Sequence, residues 1–396
     1  MLIKRIFFLL MVILAAGTLR GNPDDANRSN NYFEKIDFEF INNKIIIPIT
    51  IDGNTYRFLF DTGAPNVISK ELYKKISPEI LKSTKINDAA GNSDDLNIVK
   101  LPEIVIGNYS FKDTKSLVYD IRKVDIFKCL NIDGFIGSNL LKNSIVQIDF
   151  KNKTLILTNN KHDLKLDKSN STKMELIGEQ SSPLIFIEIK GKMNARDQVL
   201  IDTGMDGFYD LSHRSYDIFK NNDVLKDIAT AKGGNIVSLF GNAEQTEQHR
   251  VFIPKLTVAG TLFEKLVTTT TTDDVSRIGT DMLKHGIITI DFKNKRFYFD
   301  TTGQPIDVSK PLPGFSPTVI DGKLSVGYVW DKKLKEELNY GDVIVKINDT
   351  DITKMDFCKF FILKDIFEKQ DTLAIEFKDK GGKLTKLTIV KNYPKL

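Results

Sequence analysis

The sequence Phe-Leu-Phe-Asp-Thr-Gly-Ala at residues 58–64 returns as Val-Leu-Ile-Asp-Thr-Gly-Met at residues 199–205. Each copy places Asp-Thr-Gly directly after a short apolar run, and the two aspartates, Asp61 and Asp202, are 141 residues apart. A single Asp-Thr-Gly carries little information, because Asp and Gly are common turn residues. Two copies with matched flanks predict two loops of the same construction.

Other blocks repeat with the tripeptide. Residues 137–142, Gly-Ser-Asn-Leu-Leu-Lys, correspond to Gly-Thr-Asp-Met-Leu-Lys at 279–284, and Ile-Asp-Phe-Lys-Asn-Lys occurs at both 148–153 and 290–295. Both pairs have an offset of 142 residues. A constant offset over separated blocks indicates a duplicated domain. We call residues 32–165 the first repeat and residues 166–302 the second repeat, and we expect each to form one lobe.

The composition is that of a folded protein without nucleic-acid affinity. The chain has 396 residues, of which 41% are hydrophobic and 27% charged, and this length predicts about two or three domains. The formal net charge is +4, and about +1 or +2 without the basic residues near the N-terminus. So small a charge argues against binding to nucleic acid.

The N-terminus resembles a secretory signal peptide. Lys4 and Arg5 precede an apolar run over residues 6–16 and then small residues, and that run is too short to span a bilayer. We therefore expect residues 1–21 to be a signal peptide, the protein to be periplasmic or secreted, and no stable membrane span. No cysteine lies near the cleavage region, which argues against a lipidated N-terminus. A buried strand or a retained anchor is the alternative.

Most of the chain has strand patterns. Residues 45–51 and 56–60 predict a hairpin whose second strand leads into Asp61, and residues 184–189 and 198–201 repeat this plan before Asp202. Short helices are expected after each tripeptide, at residues 69–76 and 212–220. The predicted fold class is mainly β, with a pair of β-barrel lobes.

The pattern changes after Asp300. Residues 301–317 contain four of the chain's 12 prolines, which is typical of a linker, here placed at residues 303–316. Residues 317–396, which we call the C-terminal module, are long enough to fold alone as a small α+β domain. Strands are expected at 324–330, 342–347, 373–377 and 384–390, and helices at 331–338 and 355–367.

The two cysteines, Cys129 and Cys358, fall in different predicted domains. A chain of this size does not need disulfides, and we expect two buried free thiols, with an interdomain bridge as the alternative. The four histidines, His162, His213, His249 and His285, have no metal-ligand spacing, so we expect neither a metal nor a cofactor.

Two aspartates brought together can activate a water. At about 4 Å, repulsion between two carboxylates is roughly 4 kcal/mol with an effective dielectric of 20, so the pair shares one proton. The ionised member can take a proton from water while the other donates to a peptide carbonyl. We expect Gly63 and Gly204 to supply tight turns and N–H donors, and the hydroxyls of Thr62 and Thr203 to hold the loops in register.

These motifs resemble the aspartic peptidases over about residues 32–300. The hydrophobic-hydrophobic-Gly element of that family corresponds to residues 135–137, Phe-Ile-Gly, and to residues 277–279, Arg-Ile-Gly. Arg277 departs from the pattern, and its charged end must reach solvent or a carboxylate. Pepsin-type enzymes have Ser or Thr directly after Asp-Thr-Gly, whereas this chain has Ala64 and Met205. An alanine directly after Asp-Thr-Gly, as at Ala64, resembles the retroviral and bacterial retropepsin-like branch of the family.

The resemblance implies flaps over the cleft. The first candidate flap is residues 87–98, with Ala89, Ala90 and Gly91 at its centre. The second is residues 231–248, which contain Gly233 and Gly234.

The C-terminal module resembles a PDZ domain. Residues 341–348, Gly-Asp-Val-Ile-Val-Lys-Ile-Asn, are similar to a characteristic strand of that family. Residues 312–315, Leu-Pro-Gly-Phe, are similar to its carboxylate-binding loop, with Gly314 and Phe315 as the candidate contacts and a proline as a departure. The resemblance implies that a peptide, including a free C-terminus, adds to the edge of the sheet.

The leading hypothesis is an exported aspartic endopeptidase that acts on peptides or proteins, with Asp61 and Asp202 as catalytic residues and the module recruiting substrate or regulating access. A noncatalytic peptide-binding protein on the same scaffold and a PDZ scaffold protein are the alternatives. The structural alternative for the two aspartates is a pair of turns without catalytic contact. Asp300, in Asp-Thr-Thr-Gly, lacks the repeat spacing and is interpreted as a strand end.

Overall fold

The structure is a computed structural model and describes residues 31–87, 93–234, 245–362 and 370–394. It is mainly β, as the sequence predicts, with several sheets and short helices. Strands and helices are numbered in chain order. The predicted signal peptide, residues 1–21, lies outside the described residues.

A ten-stranded sheet belongs to the first repeat. Its β3–β4 hairpin buries the isoleucines of β3 and ends at Phe60, immediately before Asp61. The strands are β2 (Glu39–Ile41), β3 (Lys44–Ile51), β4 (Asn54–Phe60), β5 (Val67–Ser69), β6 (Glu79–Asn87), β7 (Ser93–Lys100), β8 (Ile104–Ile106), β9 (Tyr109–Phe111), β10 (Lys115–Tyr119) and β11 (Gly134–Ile136).

A fourteen-stranded sheet joins the two repeats. Its strands are β1 (Phe33–Asp37), β12 (Ile145–Asp149), β13 (Thr154–Thr158), β14 (Ser171–Ile177), β15 (Ser182–Lys190), β16 (Asn194–Ile201), β17 (Tyr209–Ser212), β18 (Lys226–Gly233), β19 (Thr246–Val258), β20 (Thr261–Thr271), β21 (Ser276–Ile278), β22 (Ile287–Asp291), β23 (Arg296–Asp300) and β24 (Ile306–Asp307). The short strand β24 lies in the segment predicted as a linker and pairs with β20.

The repeats meet where β12 pairs antiparallel with β22. Gln147 pairs with Thr289, its counterpart at the 142-residue offset, and its Nε2 donates to Thr289 Oγ1 at 3.0 Å. Equivalent residues that face each other mark a local twofold relation between the repeats. One buried apolar cluster extends through both repeats and includes Ile148 and Ile290.

The helices are short and several begin at hydroxyl caps. Ser69 Oγ accepts from the N–H of Leu72, and Ser212 Oγ accepts from the N–H of Ser215, as expected of N-cap serines. The α-helices are α1 (Lys70–Ile76), α2 (Asp125–Leu130), α3 (Ser138–Leu141), α4 (His213–Asn221) and α5 (Phe357–Ile362). Among the described residues, no helix has the length and apolar character that crossing a membrane requires.

The C-terminal module forms a six-stranded sheet with its own apolar core around Phe315, Ile344 and Phe377. The sheet begins at Phe315, two residues before the predicted start of the module, and we include residues 315 and 316 in the module from here on. Its strands are β25 (Phe315–Ile320), β26 (Lys323–Val329), β27 (Val343–Ile347), β28 (Thr350–Asp351), β29 (Thr372–Lys378) and β30 (Leu384–Val390). The first predicted helix of the module is only a 3₁₀ turn, Leu334–Glu336, and the second is described only as α5.

The expectation of free thiols is wrong. Cys129 in α2 and Cys358 in α5 form a disulfide, with their Cα atoms 4.8 Å apart and a sequence separation of 229. Sequence spacing does not reveal this pairing, because folding brings the two helices together. The bond joins the first repeat to the C-terminal module.

Candidate active site

Asp61 and Asp202 occupy equivalent positions in the two repeats. Asp61 follows β4, and its N–H donates to the carbonyl of Ile136 in β11 at 3.0 Å. Asp202 follows β16, and its N–H donates to the carbonyl of Ile278 in β21 at 2.8 Å. In both repeats the strand before the aspartate pairs parallel with the strand that accepts this bond. The sequence repeat is therefore also a repeat of local geometry.

Two threonines fasten these loops together. Thr62 Oγ1 donates to the carbonyl of Ile201 at 2.6 Å and accepts from the N–H of Thr203 at 3.1 Å. Thr203 Oγ1 donates to the carbonyl of Phe60 at 2.8 Å and accepts from the N–H of Thr62 at 3.0 Å. Both threonines are buried, so these four reciprocal bonds are shielded from water.

The glycines let each loop approach the aspartate of the other repeat. The N–H of Gly63 donates to Asp61 Oδ1 and that of Gly204 to Asp202 Oδ1, both at 2.9 Å. A Cβ added to Gly63 would lie 2.5 Å from the Asp202 carboxylate, and one added to Gly204 would lie 2.4 Å from the Asp61 carboxylate. Any larger residue at either position would collide with a carboxylate.

The two carboxyl groups interact electrically. Burial and the charge of Asp202 raise the pKa of Asp61 to about 7, against opposing effects of Lys44, the Gly63 N–H and Arg277. Asp61 therefore keeps a proton up to nearly neutral pH. This arrangement can hold one proton and one negative charge side by side.

The hydrophobic-hydrophobic-Gly elements lie against the two Asp-Thr-Gly loops. A Cβ added to Gly137 would lie 2.2 Å from the carbonyl oxygen of Ala64, and one added to Gly279 would lie 2.5 Å from that of Met205. The residue after each glycine binds a loop carbonyl: Ser138 Oγ donates to Thr62 at 2.7 Å, and Thr280 Oγ1 donates to Met205 at 3.0 Å. The 142-residue offset already pairs this serine with this threonine, but not their partners.

Arg277 reaches Asp202. Its Nη1 lies 3.4 Å from Asp202 Oδ2 and its Nη2 lies 2.9 Å from Asp273 Oδ2. The Arg277 side chain is only 18% exposed and that of Asp202 only 7%. The arginine thus meets carboxylates at the site.

A turn before β3 also contributes to the site. The ammonium group of Lys44 contacts the carbonyl of Gly204 and the carboxylate of Asp206. Asn43 accepts from Thr280 Oγ1 through its carbonyl at 2.8 Å, and Asn42 Nδ2 donates to the carbonyl of Phe361 in α5 at 2.5 Å. No sequence motif marks these residues, because they come close to the second repeat only in the folded chain.

The candidate flaps are described only in part. Ala89, Ala90 and Gly91 lie outside the described residues, and so does the centre of the second flap, residues 235–244. Gly233, which ends β18, packs against the C-terminal module. A Cβ added to it would lie 1.9 Å from the carbonyl oxygen of Gly327 in β26, and the carbonyl of Gly234 also approaches Gly327.

The candidate carboxylate loop of the module lies before β25. Phe315 is buried in the core of the module, and its ring meets that of Phe377 edge to face, with 5.6 Å between centroids. The carbonyl of Gly314 accepts from the N–H groups of Trp330 and Asp331. In the parts of the chain that the structure describes, no group of three or more His, Cys, Asp and Glu residues is arranged to hold a metal.

One protein-family model matches part of the chain. Residues 47–140 match the family model of aspartyl proteases, a range that contains Asp61, Thr62, Gly63 and Gly137. No curated protein matches the chain in sequence. Among solved structures, an aspartic proteinase from Irpex lacteus is similar, with 12% identity, a TM-score of 0.41, and a match that covers 69% of this chain and 98% of that one.

The family match and the paired Asp-Thr-Gly loops agree. The matched range supplies one of the two aspartates, and the second repeat brings an equivalent loop against it. Together they support a peptidase function of the aspartic type, which is a class of hydrolase.

Proposed function

We propose that this protein is an exported aspartic endopeptidase in which Asp61 and Asp202 activate one water between them. The observation that carries the proposal is the reciprocal hydrogen bonding of Thr62 and Thr203, which places each carboxylate against the glycine of the opposite loop. Two structural turns without a shared task would need no such close approach.

In the proposed reaction, the ionised carboxylate takes a proton from water, and the water oxygen bonds to the peptide carbonyl carbon. The protonated aspartic acid gives its proton to the carbonyl oxygen, which receives the π-electron pair. The tetrahedral intermediate then breaks its C–N bond, and the leaving nitrogen keeps the bonding electron pair and receives the proton held by the first carboxyl group. As the C=O bond re-forms, one hydroxyl of the intermediate gives its proton to the second carboxylate, which restores the starting protonation of the pair. No covalent bond to the enzyme forms.

Asp61→Asn and Asp202→Asn should each abolish hydrolysis of an unstructured protein substrate between pH 4 and 8. General acid-base catalysis alone contributes about 10² to 10⁴ in rate, and each variant interrupts the shared proton cycle. Asp300→Asn is the matched control, because it makes the same chemical change in the unrelated Asp-Thr-Thr-Gly segment and should keep its activity.

We call Asp61 and Asp202 the dyad. Equal hydrolysis by the wild type and both dyad variants would contradict the catalytic assignment. A wild type that binds the peptide without cleaving it would favour the noncatalytic peptide-binding alternative. Cooperative melting of every variant ensures that lost activity is not lost folding.

The predicted signal peptide and the disulfide support the exported location in this proposal. Disulfides persist in the periplasm and outside cells, whereas the cytosol keeps most thiols reduced. The bond between Cys129 and Cys358 is therefore suited to a protein that acts after export.

The C-terminal module is proposed to recruit substrate or regulate access. β25 is an edge strand that pairs only with β26 among the described strands, so an extended peptide could add to its free edge. If the module captures a peptide C-terminus, amidation of that terminus should slow cleavage of long substrates and leave short ones unaffected.

A further inference from the structure

We propose that Arg277 is a positioning residue that makes the two aspartates differ in protonation: Asp202 is the ionised member, and Asp61 carries the proton. This inference rests on the proposed function for its catalytic meaning. The assignment of charge itself is a property of the folded protein, whether or not it cleaves peptides.

The first observation is the location of Arg277. It lies in β21, paired with Leu200 of β16 on one side and with Asp210 of β17 on the other. From there its guanidinium bridges two carboxylates, Asp202 at 3.4 Å and Asp273 at 2.9 Å. A mostly buried guanidinium next to a mostly buried carboxylate favours the ionised form of that carboxylate.

The second observation is the asymmetry between the repeats. The position equivalent to Arg277 is Phe135, which pairs with Leu59 in β4 just as Arg277 pairs with Leu200 in β16. Phe135 is buried, and its ring packs edge to face on Phe127, with 5.0 Å between centroids. Asp61 therefore has no cation at the position from which Arg277 contacts Asp202.

Arg277 also supplies a hydrogen-bond donor that Met205 cannot supply. Pepsin-type sequences have a hydroxyl residue directly after Asp-Thr-Gly, and this chain has an apolar residue there in both repeats. In the second repeat, Arg277 Nη1 supplies a donor to Asp202 Oδ2, the oxygen that Gly204 does not contact. In the first repeat Ala64 also lacks a hydroxyl group, and β11 supplies no replacement donor to Asp61. The side chain at the equivalent position of β11, Phe135, has no hydrogen-bond donor.

Four charged residues surround the pair and Arg277, and they act on these groups or on one another. They are Lys44 at the start of β3, Asp206 after the second Asp-Thr-Gly, Asp210 in β17 and Asp273 before β21. Lys44 contacts Asp206, and Asp273 is bound by Arg277. Burial raises the pKa of Asp210 to about 7, against the lowering effect of Arg277.

The chemical consequence is a division of roles. Asp202 takes the proton from the attacking water, and Asp61 gives its proton to the carbonyl oxygen. The high pKa of Asp61, about 7, agrees with this direction. The charge of Arg277 also acts on Asp61, but the direct contact of Arg277 is with Asp202. Removal of Arg277 should therefore have its largest effect on the more acidic of the two titrations of the pair.

The test compares pH profiles of kcat/KM for the full-length wild type, Arg277→Met and Arg277→Lys. In Arg277→Met the acid limb should move up by about one pH unit, which lowers kcat/KM about tenfold at a fixed pH on that limb, and the alkaline limb should move less. Arg277→Lys keeps a positive charge, so its acid limb should lie between those of the wild type and Arg277→Met. Arg214→Met removes a cation from an exposed position of α4 in the same repeat and should move neither limb.

A second measurement does not depend on activity or on any substitution of Arg277. Carbon-13 NMR of labelled aspartate carboxyl groups in the wild type, assigned with Asp61→Asn and Asp202→Asn, should show Asp202 ionised at pH 5–6 while Asp61 is protonated. The reverse order, or an acid limb that does not move in a folded Arg277→Met, would overturn the inference. A wild type without hydrolysis but with the expected titration would contradict only the proposed function.

Discussion

Asp61 couples the stability of the fold to pH. Its pKa in the folded protein, about 7, is above its model-peptide value of 3.8, mainly because of burial and then because of Asp202. The folded state therefore binds this proton more tightly than the unfolded state. The resulting stabilisation is complete below about pH 4 and is lost as the pH rises towards 7.

Asp61→Asn should consequently be more stable than the wild type at pH 8, by on the order of 1–3 kcal/mol, and equally stable near pH 4. The amide keeps an acceptor for the Gly63 N–H but never ionises. Urea unfolding at both pH values measures the difference, with the exposed Asp217→Asn of α4 as the control. A gain in stability that is the same at both pH values would show that ionisation of Asp61 is not its cause.

At the scale of elements, β18 and β26 join the second repeat to the C-terminal module. Ala231 of β18 packs with Tyr328 and Trp330 in a small buried cluster. Arg250 of β19 lies 4.5 Å from the Trp330 ring centroid and donates to the carbonyl of Pro313 at 3.1 Å, and burial lowers its pKa to about 10. The strand that leads into the second candidate flap is thus held by the module.

Gly233→Ala should weaken this junction. The new Cβ would lie 1.9 Å from the carbonyl oxygen of Gly327, and two backbones must separate to admit it. We expect a loss of about 1–3 kcal/mol in the free energy of unfolding, as is usual for overpacking. Gly303→Ala is the control, because nothing lies within 4 Å of its Cβ, and it should change stability by less than about 0.5 kcal/mol. Equal effects of the two variants would refute the close approach.

At the scale of the whole molecule, the C-terminal module contacts both repeats. It is joined to the first repeat by the disulfide and by Asn42, and to the second repeat by β26. Lys44 follows the turn that contains Asn42, as the first residue of β3, and contacts the Asp-Thr-Gly loop of the second repeat at Gly204. The module is therefore connected to the site through one short segment, residues 42–44.

Removal of the disulfide should lower stability more than catalysis. In the double variant Cys129→Ser, Cys358→Ser, a closed loop of 229 residues is released, and we expect a loss of about 2–5 kcal/mol. Cleavage of short peptides should persist at low temperature, since neither cysteine lies at the dyad. Denaturant midpoints with and without a thiol reductant measure the effect. The reductant should lower the midpoint of the wild type to that of the variant and leave the midpoint of the variant unchanged. Two titratable thiols in the oxidised wild type would contradict the bond.

The sequence by itself determined the mainly β fold class, because strand patterns and turn residues are local signals. The repeat, with an offset of 141 residues at the Asp-Thr-Gly loops and 142 in the later blocks, likewise anticipated two equivalent loops. A duplicated sequence repeats its local hydrogen bonds, as those of Asp61 and Asp202 to Ile136 and Ile278 illustrate. Hydroxyl residues such as Ser138 and Thr280 could be paired by that offset, but not assigned their contacts.

Only the tertiary structure decided which distant residues meet. Cys129 and Cys358 are 229 residues apart and were expected to be free thiols, and no local pattern brings α2 beside α5. The partner of Arg277 was equally open, because its sequence position required only a carboxylate or solvent, and the packing of β21 beside β16 selected Asp202. Such contacts depend on how sheets and domains pack across the chain, and that information is spread over the whole sequence and contained in no single segment.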